Sequence, residues 1–423
     1  MRGAISTAGV STRQRAALPS FSELRLVAVA LLLVLGSLAA FGHLRFWTQT
    51  YAFPLYALCT AAYLGAAAVS SQFTRFGRTL GLRVGIVGVT LAFALVLAVI
   101  LFWRLYYSRP FLLTAYVTAL SWQVLESWLA QQKAPLRLAV VPGGAAADFA
   151  RLRHADCIFL QQPFLEERAD AVVVDLHDRL APEWVRFLAD CSLKGMPTYH
   201  AAVAYEALTG RVFLGHLSAG LLDEFRFSPV YAYGKRLLDL LFVLLTLPLA
   251  GPLMLLTALA IKIESPGPVL FWQERVGEGG KPFRMVKFRS MCVESEAGGA
   301  RFAAHGDDRV TRIGRFIRKM RVDELPQYWN ILKGEMSLIG PRPEQVSFVR
   351  QFEQEIPFYA YRHLVKPGIT GWAQVNHGYA ASVDETRGKL EHDLYYIKHF
   401  SFWLDALIVF GTIRTVLTGF GAR

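Results

Sequence analysis

This sequence has no closely spaced pair of cysteines and no long basic tail. Four cysteines lie far apart and form no CxxC pair, which argues against a disulfide framework or a cysteine-based zinc site and fits domains that face the cytosol. They are Cys59, Cys157, Cys191 and Cys292. Lys and Arg are not gathered into a long arm, so nucleic acid is not expected as a partner.

Apolar and basic residues are abundant instead. The chain has 423 residues, of which 53% are hydrophobic, and its net charge is +12. This length allows more than one domain. A basic excess combined with long apolar runs indicates an anionic membrane surface or anionic substrates.

Four apolar stretches fill the first part of the chain, at about 26–43, 52–70, 84–103 and 110–129. Each is close to the roughly 20 residues that a membrane-spanning helix needs. The first is not expected to be a cleaved signal peptide, because further stretches follow and no small-residue cleavage pattern stands out. We therefore predict a four-helix transmembrane region over residues 1–130.

The basic residues around these stretches alternate in number. Four precede the first stretch, one lies in the first loop, three in the second and two in the third, and two follow the fourth. Cytoplasmic loops carry the excess of Lys and Arg, so the N-terminus and the chain after the fourth stretch are predicted to be cytoplasmic. These residues are Arg2, Arg13, Arg15, Arg25, Arg45, Arg75, Arg78, Arg83, Arg104, Arg109, Lys133 and Arg137.

Residues 131–230 have the pattern of a small α/β unit. "LRLAVVPGGAAADFARLR" predicts a strand, a glycine turn and a helix, and "ADAVVVDL" and "GMPTYHAA" predict further strands. Such alternation is typical of a parallel, Rossmann-like sheet. The turn "PGGAAAD" is not GxGxxG and is a weak signal for phosphate, so a structural or regulatory role is favoured over nucleotide binding.

The stretch from Leu237 to Ile261 is long enough to cross a membrane, and Asp239 is its only charge. Pro248, Gly251 and Pro252 interrupt its middle. Basic residues flank both ends, which favours a helix that enters one leaflet and turns back at Gly251–Pro252 over a kinked span. A true span stays the alternative.

The polar remainder of residues 231–423 carries the candidate chemistry. "VLFWQERVGEGGKPFRMVKFRSM" predicts two strands around a Gly-Gly turn. "RVTRIGRFIRKM" has helical period, with one apolar face and a neighbouring basic stripe that fits either lipid headgroups or phosphate. The apolar face comprises Ile313, Phe316, Ile317 and Met320, and the stripe comprises Arg312, Arg315 and Lys319.

Residues from about 233 to 423 resemble the bacterial sugar transferase family, the monotopic polyprenyl-phosphate phosphoglycosyl transferases. The resemblance rests on "KRLLDL", "SPGPVLFWQERVG", "FRMVKFRSM", "VDELPQYWNILKGEMSLIGPRP", "PGITGWAQV" and "HDLYYIKHFSFWLD", which occur in the family's order. With four spans and an α/β unit in front, the chain resembles the long form of the family. Gly251-Pro252 stands where the family often has Ser-Pro.

The resemblance implies a function and a site. Asp323 would attack the β-phosphate of a UDP-sugar, with UDP-glucose or UDP-galactose expected, and release UMP. Undecaprenyl phosphate would then accept the sugar phosphate from the aspartate. Glu324 would bind metal or move a proton, and Asp323 and Glu324 together would hold Mg²⁺, or Mn²⁺ in its place. Substrate contacts are expected from Lys287, Arg289, Arg318, Arg342 and Gln374.

The resemblance also implies a multi-pass protein of the bacterial inner membrane. Its catalytic domain would face the cytoplasm among membrane lipids and start exopolysaccharide, capsule or O-antigen synthesis. A homodimer stays open. The C-terminal "HFSFWLDALIVFGTIRTVLTGF" is expected to be an amphipathic interfacial helix.

Two other interpretations stay open. A polytopic transferase with its site between spans is disfavoured, because the spans hold almost no acids beyond Glu126 and Asp239. A membrane scaffold or regulator of polysaccharide assembly would not need Asp323 chemically, which distinguishes it from a transferase.

Overall fold

A computed structural model describes ten segments of the chain, which divides into two compact units, Met1–Lys133 and Ala134–Arg423. Within the second unit we distinguish an α/β part, residues 136–217, from a C-terminal part, residues 228–418. The described residues are 21–43, 48–74, 78–132, 136–144, 146–150, 152, 155–217, 228–292, 309–377 and 383–418. Six of the bases that predict orientation lie outside them: Arg2, Arg13, Arg15, Arg45, Arg75 and Lys133.

The N-terminal unit contains four long helices: α1 (Phe21–Phe41), α2 (Phe53–Thr74), α3 (Arg78–Trp103) and α4 (Arg109–Gln132). Among the described residues, α1, α2, α3 and the later helix α8 (Pro229–Glu264) are long and apolar enough to cross a membrane. The 24 residues of α4 have sufficient length but a more polar composition.

Small and aromatic side chains pack these four helices together, among them Ala28, Tyr63, Phe93 and Phe111. The carboxylate of Glu126 on α4 is buried here and accepts hydrogen bonds from Tyr63 (3.1 Å) and Trp122 (3.2 Å). A buried carboxylate in an apolar bundle is stable only when such donors surround it. The polar residues of α4 therefore serve packing within the unit.

The α/β part is built on a parallel four-stranded sheet, as the alternating pattern predicted. Its strands are β1 (Arg137–Val140), β2 (Asp156–Phe159), β3 (Ala171–Val174) and β4 (Thr198–His200), in the order β2-β1-β3-β4. The helices are α5 (Ala146–Phe149), α6 (Pro182–Leu193) and α7 (Ala201–Thr209). β2 was not predicted, because its sequence "DCIF" is short and only partly buried.

The α/β part contacts the C-terminal part through the end of α7. Trp372 Nε1 donates a hydrogen bond to the carbonyl of Gly210 (2.8 Å), which caps α7 in the left-handed region at φ +66°. Lys398 Nζ lies 2.9 Å from Glu206 Oε1. An aromatic donor and an ion pair therefore join the two parts.

Helix α8 (Pro229–Glu264) runs as one 36-residue helix through Pro248 and Pro252. Each proline lacks the N–H that would bond the carbonyl four residues earlier, so the helix is weakened at two successive turns. Its buried side chains recur from Lys235 to Ile261. One face therefore packs on the C-terminal part over about 39 Å, at 1.5 Å per residue.

The rest of the C-terminal part packs on this face of α8. The predicted hairpin is confirmed: β5 (Leu270–Val276) pairs antiparallel with β6 (Pro282–Phe288). Strands β7 (Ser337–Ile339) and β8 (Gly368–Thr370) form a short parallel pair. The remaining helices are α9 (Arg312–Lys319), α10 (Tyr328–Lys333), α11 (Val346–Glu355), α12 (Trp372–Asn376), α13 (Val383–Lys398) and α14 (Phe402–Thr418).

The predicted apolar face of α9 is divided in the structure. Ile317 is buried and Ile313 packs beside it, but Phe316 is 65% exposed and Met320 50% exposed. The four residues that the sequence places on one face are therefore not all buried, and Met320 lies just beyond the end of the helix at Lys319. Two large apolar side chains are therefore exposed to the surroundings.

Helix α14 has an inner and an outer face. The inner face buries Leu404, Leu407 and Ile408, and Asp405 lies beside Lys235 of α8 at 2.5 Å. The outer face exposes apolar side chains: Phe402, Val409, Ile413 and Val416. A helix that is apolar on both faces is expected where lipid takes the place of water.

Candidate active site

The Asp323-Glu324 pair lies in a 3₁₀ helix, Val322–Gln327, and not on a continuation of α9. α9 ends at Lys319, and Arg321 then adopts the left-handed region at φ +57°. The helix that carries Arg318 therefore does not continue as far as Asp323. In the tighter helix both acids are buried.

Asp323 has a buried carboxylate, one oxygen of which is unpaired among the described residues. The side chain is 9% exposed, and its Oδ1 has no hydrogen-bond partner among the residues that the structure describes. Burial and the adjacent Glu324 raise the pKa of Asp323 to about 6, against the opposing pull of three cations, Lys287, Arg342 and Arg318. Near neutral pH this carboxylate is mostly ionised and only partly compensated.

Glu324 is held by arginines. Its Oε1 lies 2.9 Å from Arg342 Nη2 and 3.3 Å from Arg321 Nη1. Burial alone would raise the pKa of Glu324, but Arg342 and Arg321 outweigh burial and lower it. The two adjacent acids therefore differ: Glu324 is a fixed anion in ion pairs, whereas Asp323 keeps an unpaired oxygen.

Lys287 on β6 places an ammonium group in the same site, where its charged form is partly destabilised. Burial, together with Arg275, Arg318 and Arg342, lowers the pKa of Lys287 to about 8. Its Nζ also lies 5.0 Å from the ring centre of Phe271 on the paired strand β5. An anion that enters here meets several cations close together, which favours phosphate.

The other predicted substrate contacts are divided. Arg318 donates from Nε to Ser290 Oγ (2.8 Å) and acts electrostatically on both Asp323 and Lys287. By contrast, the guanidinium of Arg289 donates hydrogen bonds to the loop after α8, at Ser265 O (2.8 Å) and Pro266 O (2.9 Å). It is 6% exposed, so the structure gives it a scaffold position.

Gln374 lies on α12, where the structure shows no contact between it and Asp323 or Glu324. Its Nε2 donates to Ile369 O (2.8 Å), while its Oε1 is buried without a partner in the described part of the chain. A Cβ built on Gly371 would lie 3.1 Å from that oxygen. Whether Gln374 meets substrate stays a prediction.

The Pro341-Arg342-Pro343 loop depends on side chains that the sequence did not single out. Arg362 Nη2 donates to the carbonyl of Arg342 (2.9 Å) and to Asp393 Oδ2 (2.8 Å), and both side chains are almost fully buried. Arg275 Nη1 donates to Pro343 O (3.1 Å). "HDLYYIKHF" was noted as a family motif, but only the fold connects its Asp393 to this loop.

The donor set fits Mg²⁺. The unpaired Oδ1 of Asp323 and the second oxygen of Glu324 are hard ligands of the kind that Mg²⁺ and Mn²⁺ prefer. The nearby cations compete for the same oxygens, so a substrate diphosphate would have to supply further ligands. Asp323 and Glu324 are the residues that would hold the ion.

Comparison with known proteins places this site in a family. Residues 230–419 match the family described as "Bacterial sugar transferase". The chain is 52% identical over 367 residues to UDP-N-acetylgalactosamine-undecaprenyl-phosphate N-acetylgalactosaminephosphotransferase of Aeromonas hydrophila, covering 86% of each chain. The chain belongs to the bacterial sugar transferase family.

Other relatives match a smaller share of this chain. Two are named UDP-glucose:undecaprenyl-phosphate glucose-1-phosphate transferase. The Caulobacter vibrioides protein is 45% identical over 186 residues, 44% of this chain and 70% of the relative. The Escherichia coli (strain K12) protein is 45% identical over 181 residues, 42% of this chain and 39% of the relative. The 367 residues matched by the Aeromonas protein exceed the length of either unit, so that match extends over both.

The raised pKa of Asp323 predicts a stability effect. A carboxyl whose folded pKa lies above its unfolded pKa of 3.8 favours folding below that value, and this contribution is lost as the pH rises through about 6. In EDTA at pH 8, Asp323→Asn should therefore stabilise the ligand-free protein, by at most about 3 kcal/mol. The gain should shrink toward pH 4.

Chemical unfolding of the purified transferase in detergent, followed at pH 4, 6 and 8, measures this difference. Glu278→Gln is the matched control, because Glu278 is exposed in the hairpin turn. An Asp323→Asn protein that is less stable than wild type at pH 8 would contradict the electrostatic account of the site.

Proposed function

We propose that this transferase moves a sugar 1-phosphate from a UDP-sugar to undecaprenyl phosphate and releases UMP, with Asp323 as the nucleophile. The observation that carries the proposal is the buried Asp323 carboxylate, whose Oδ1 is unpaired although Lys287, Arg318 and Arg342 act on it. A carboxylate that is ionised, buried and unpaired among cations is suited to react with a phosphate.

The reaction divides into two displacements at one phosphorus atom. An Asp323 oxygen attacks the β-phosphorus of the UDP-sugar, the bond from that phosphorus to the bridging oxygen breaks, and UMP leaves with the electron pair. An oxygen of undecaprenyl phosphate then attacks the same phosphorus and Asp323 is released. Covalent catalysis replaces one difficult displacement with two easier ones.

The cations have distinct roles in this scheme. Lys287, Arg318 and Arg342 neutralise the oxygens of the diphosphate, where charge moves during phosphoryl transfer. Arg362 fixes the loop that carries Arg342. Arg289, expected among the substrate contacts, is proposed instead as a positioning residue, because its guanidinium bonds Ser265.

Mg²⁺, or Mn²⁺, is the proposed cofactor. Bound by Asp323 and Glu324, the ion would neutralise diphosphate charge. Because Glu324 is already fixed by Arg342 and Arg321, it is suited to hold the ion in one place while Asp323 reacts.

The sugar is proposed to be an N-acetylhexosamine. The family resemblance implies UDP-glucose or UDP-galactose, but relatives named for glucose match less than half of this chain. The relative that matches 86% of it is named for N-acetylgalactosamine. We therefore rank UDP-N-acetylgalactosamine ahead of UDP-glucose as the donor.

We further propose that α8 is re-entrant and that the site lies at the cytoplasmic face of the inner membrane. Near its start, Arg236 bonds Ile331 O, and at its end Glu264 accepts from the backbone N–H groups of Arg312 and Ile313. A crossing of the roughly 30 Å hydrocarbon core would take this polar domain into lipid.

The opposite face of α8 supports the same arrangement, since it exposes a continuous set of leucines to its surroundings. They include Leu237, Leu241, Leu244, Leu245, Leu249 and Leu256. A helix that meets protein on one side and lipid on the other, and is weakened at Pro248 and Pro252, suits entry into a single leaflet. Undecaprenyl phosphate would then reach Asp323 from that leaflet.

A non-catalytic scaffold remains the alternative function. It would explain the membrane helices and the α/β part, and a homodimer would suit it equally. It gives no reason for an unpaired carboxylate buried among three cations, which costs stability unless it reacts.

UMP release tests the function and the sugar together. Purified enzyme with undecaprenyl phosphate and Mg²⁺ should release UMP faster from UDP-N-acetylgalactosamine than from UDP-glucose. Asp323→Asn should lower this rate by at least ~10³-fold, whereas Glu324→Gln should lower it less if Glu324 only holds the ion. Equal loss in Glu278→Gln would show a non-specific effect, and an active Asp323→Asn enzyme would exclude this nucleophile.

Chelation tests the cofactor. Excess EDTA should abolish UMP release, and Mg²⁺ or Mn²⁺ added back should restore it, because the diphosphate needs hard cations beyond the protein's own. Ca²⁺ at the same concentration controls for ionic strength. Full activity in EDTA would rule out the metal.

Cysteine labelling tests the path of α8. In a cysteine-free background, Glu278→Cys in the β5–β6 turn should not react with a membrane-impermeant thiol reagent in intact cells. Thr50→Cys, in the predicted periplasmic loop after α1, should react and serves as the control. Strong labelling at position 278 in intact cells would mean that α8 crosses the membrane.

A further inference from the structure

One cluster outside the transferase site has ligand chemistry of its own. At the carboxyl end of the parallel sheet, Asp175 follows β3, His177 comes two residues later, and His200 is the last residue of β4. Among the described residues, these three form the one group of His, Cys, Asp or Glu side chains spaced to hold a metal ion.

The distances between the ligand atoms suit a small transition-metal ion. His177 Nδ1 and His200 Nε2 are 3.0 Å apart, and Asp175 Oδ1 lies 3.8 Å from the first and 4.0 Å from the second. In the plane of these three atoms, the point equidistant from them lies about 2.1 Å from each, which is the distance at which Zn²⁺ binds imidazole nitrogen and carboxylate oxygen.

The surroundings favour a cation over a phosphate. The loop after β1 packs its glycine backbone against acids: a Cβ on Gly144 would lie 1.9 Å from Asp175 Oδ2, and one on Gly143 2.6 Å from Asp178 Oδ2. Ligands of open parallel sheets bind at such strand ends, where the strand order reverses. Carboxylates in that position repel a nucleotide phosphate and attract a metal.

The burial and hydrogen bonding of these side chains also suit metal binding. The Asp175 side chain is 4% exposed, and its Oδ1 accepts a hydrogen bond from the His177 N–H at 3.0 Å. The His177 side chain is 53% exposed, which leaves the solvent side open for a water ligand. Two histidines and a carboxylate with one open position form a common zinc coordination set.

We propose that Asp175, His177 and His200 form a binding site for a divalent transition metal of the Zn²⁺ class, separate from the Mg²⁺ proposed at Asp323. Imidazole nitrogens select Zn²⁺, Co²⁺ or Ni²⁺ over Mg²⁺, which prefers oxygen. Without metal, His200 Nδ1 accepts from the Ala202 N–H at the start of α7. Metal on Nε2 moves the ring proton to Nδ1, so this capping bond is given up.

Equilibrium dialysis of the full-length protein against Zn²⁺ tests the site. The protein is prepared in detergent without a histidine tag and stripped with EDTA. Wild type and Asp323→Asn should each retain a Zn²⁺ ion with equal affinity. His177→Ala and His200→Ala should bind it at least about tenfold more weakly, while His399→Ala, which removes an exposed histidine elsewhere, should bind as wild type.

Co²⁺ gives a second readout that does not depend on affinity. Bound at this site it should show the visible d–d absorption of a four-coordinate ion, and His177→Ala, which removes a side chain that is 53% exposed, should abolish that absorption. Zn²⁺ binding unchanged in His177→Ala, binding lost only in Asp323→Asn, or no binding by wild type would each overturn the proposal and leave a hydrogen-bonded histidine pair that caps α7. None of these outcomes depends on transferase activity.

Discussion

The candidate active site of the C-terminal part depends on two adjacent buried acids whose charges are neutralised to different degrees. Glu324 is neutralised by Arg342 and Arg321, whereas Asp323 keeps an unpaired oxygen although cations surround it. Arg362 and Asp393 fix the loop that carries Arg342 and so hold this cation beside the two acids. In the proposed mechanism, the stability given up at the site leaves a carboxylate that can attack a phosphate.

Helix α8 connects this chemistry to the membrane. Its protein-facing side carries Lys235, Val243 and Ile261 into the same domain that holds Asp323, and its other side presents leucines. The exposed Phe316 and Met320 of α9 and the outer face of α14 add further apolar surface. A water-soluble donor and a lipid-bound acceptor can both reach one carboxylate only if the domain lies at the interface between water and lipid.

Much of this arrangement was predictable, and the failures have local causes. The hairpin and the parallel sheet follow from patterns of alternating residues and glycine turns. The break after α9 does not, because a non-glycine residue at positive φ, Arg321, has no sequence signal. Nor does the sequence show that β6 ends at Phe288 and that Arg289 turns toward Ser265. Arg362 supports the site from far along the chain, which only the fold can reveal.

The central claim is that Asp323 becomes covalently linked to the sugar phosphate. The most direct test is to mix the enzyme with Mg²⁺ and UDP-N-acetylgalactosamine without lipid acceptor, quench in acid, digest, and locate the modified peptide by mass spectrometry. The account predicts a phosphosugar adduct on Asp323 that disappears when undecaprenyl phosphate is added before the quench. An adduct on another residue, or UMP release that occurs only when the lipid is present, would contradict it.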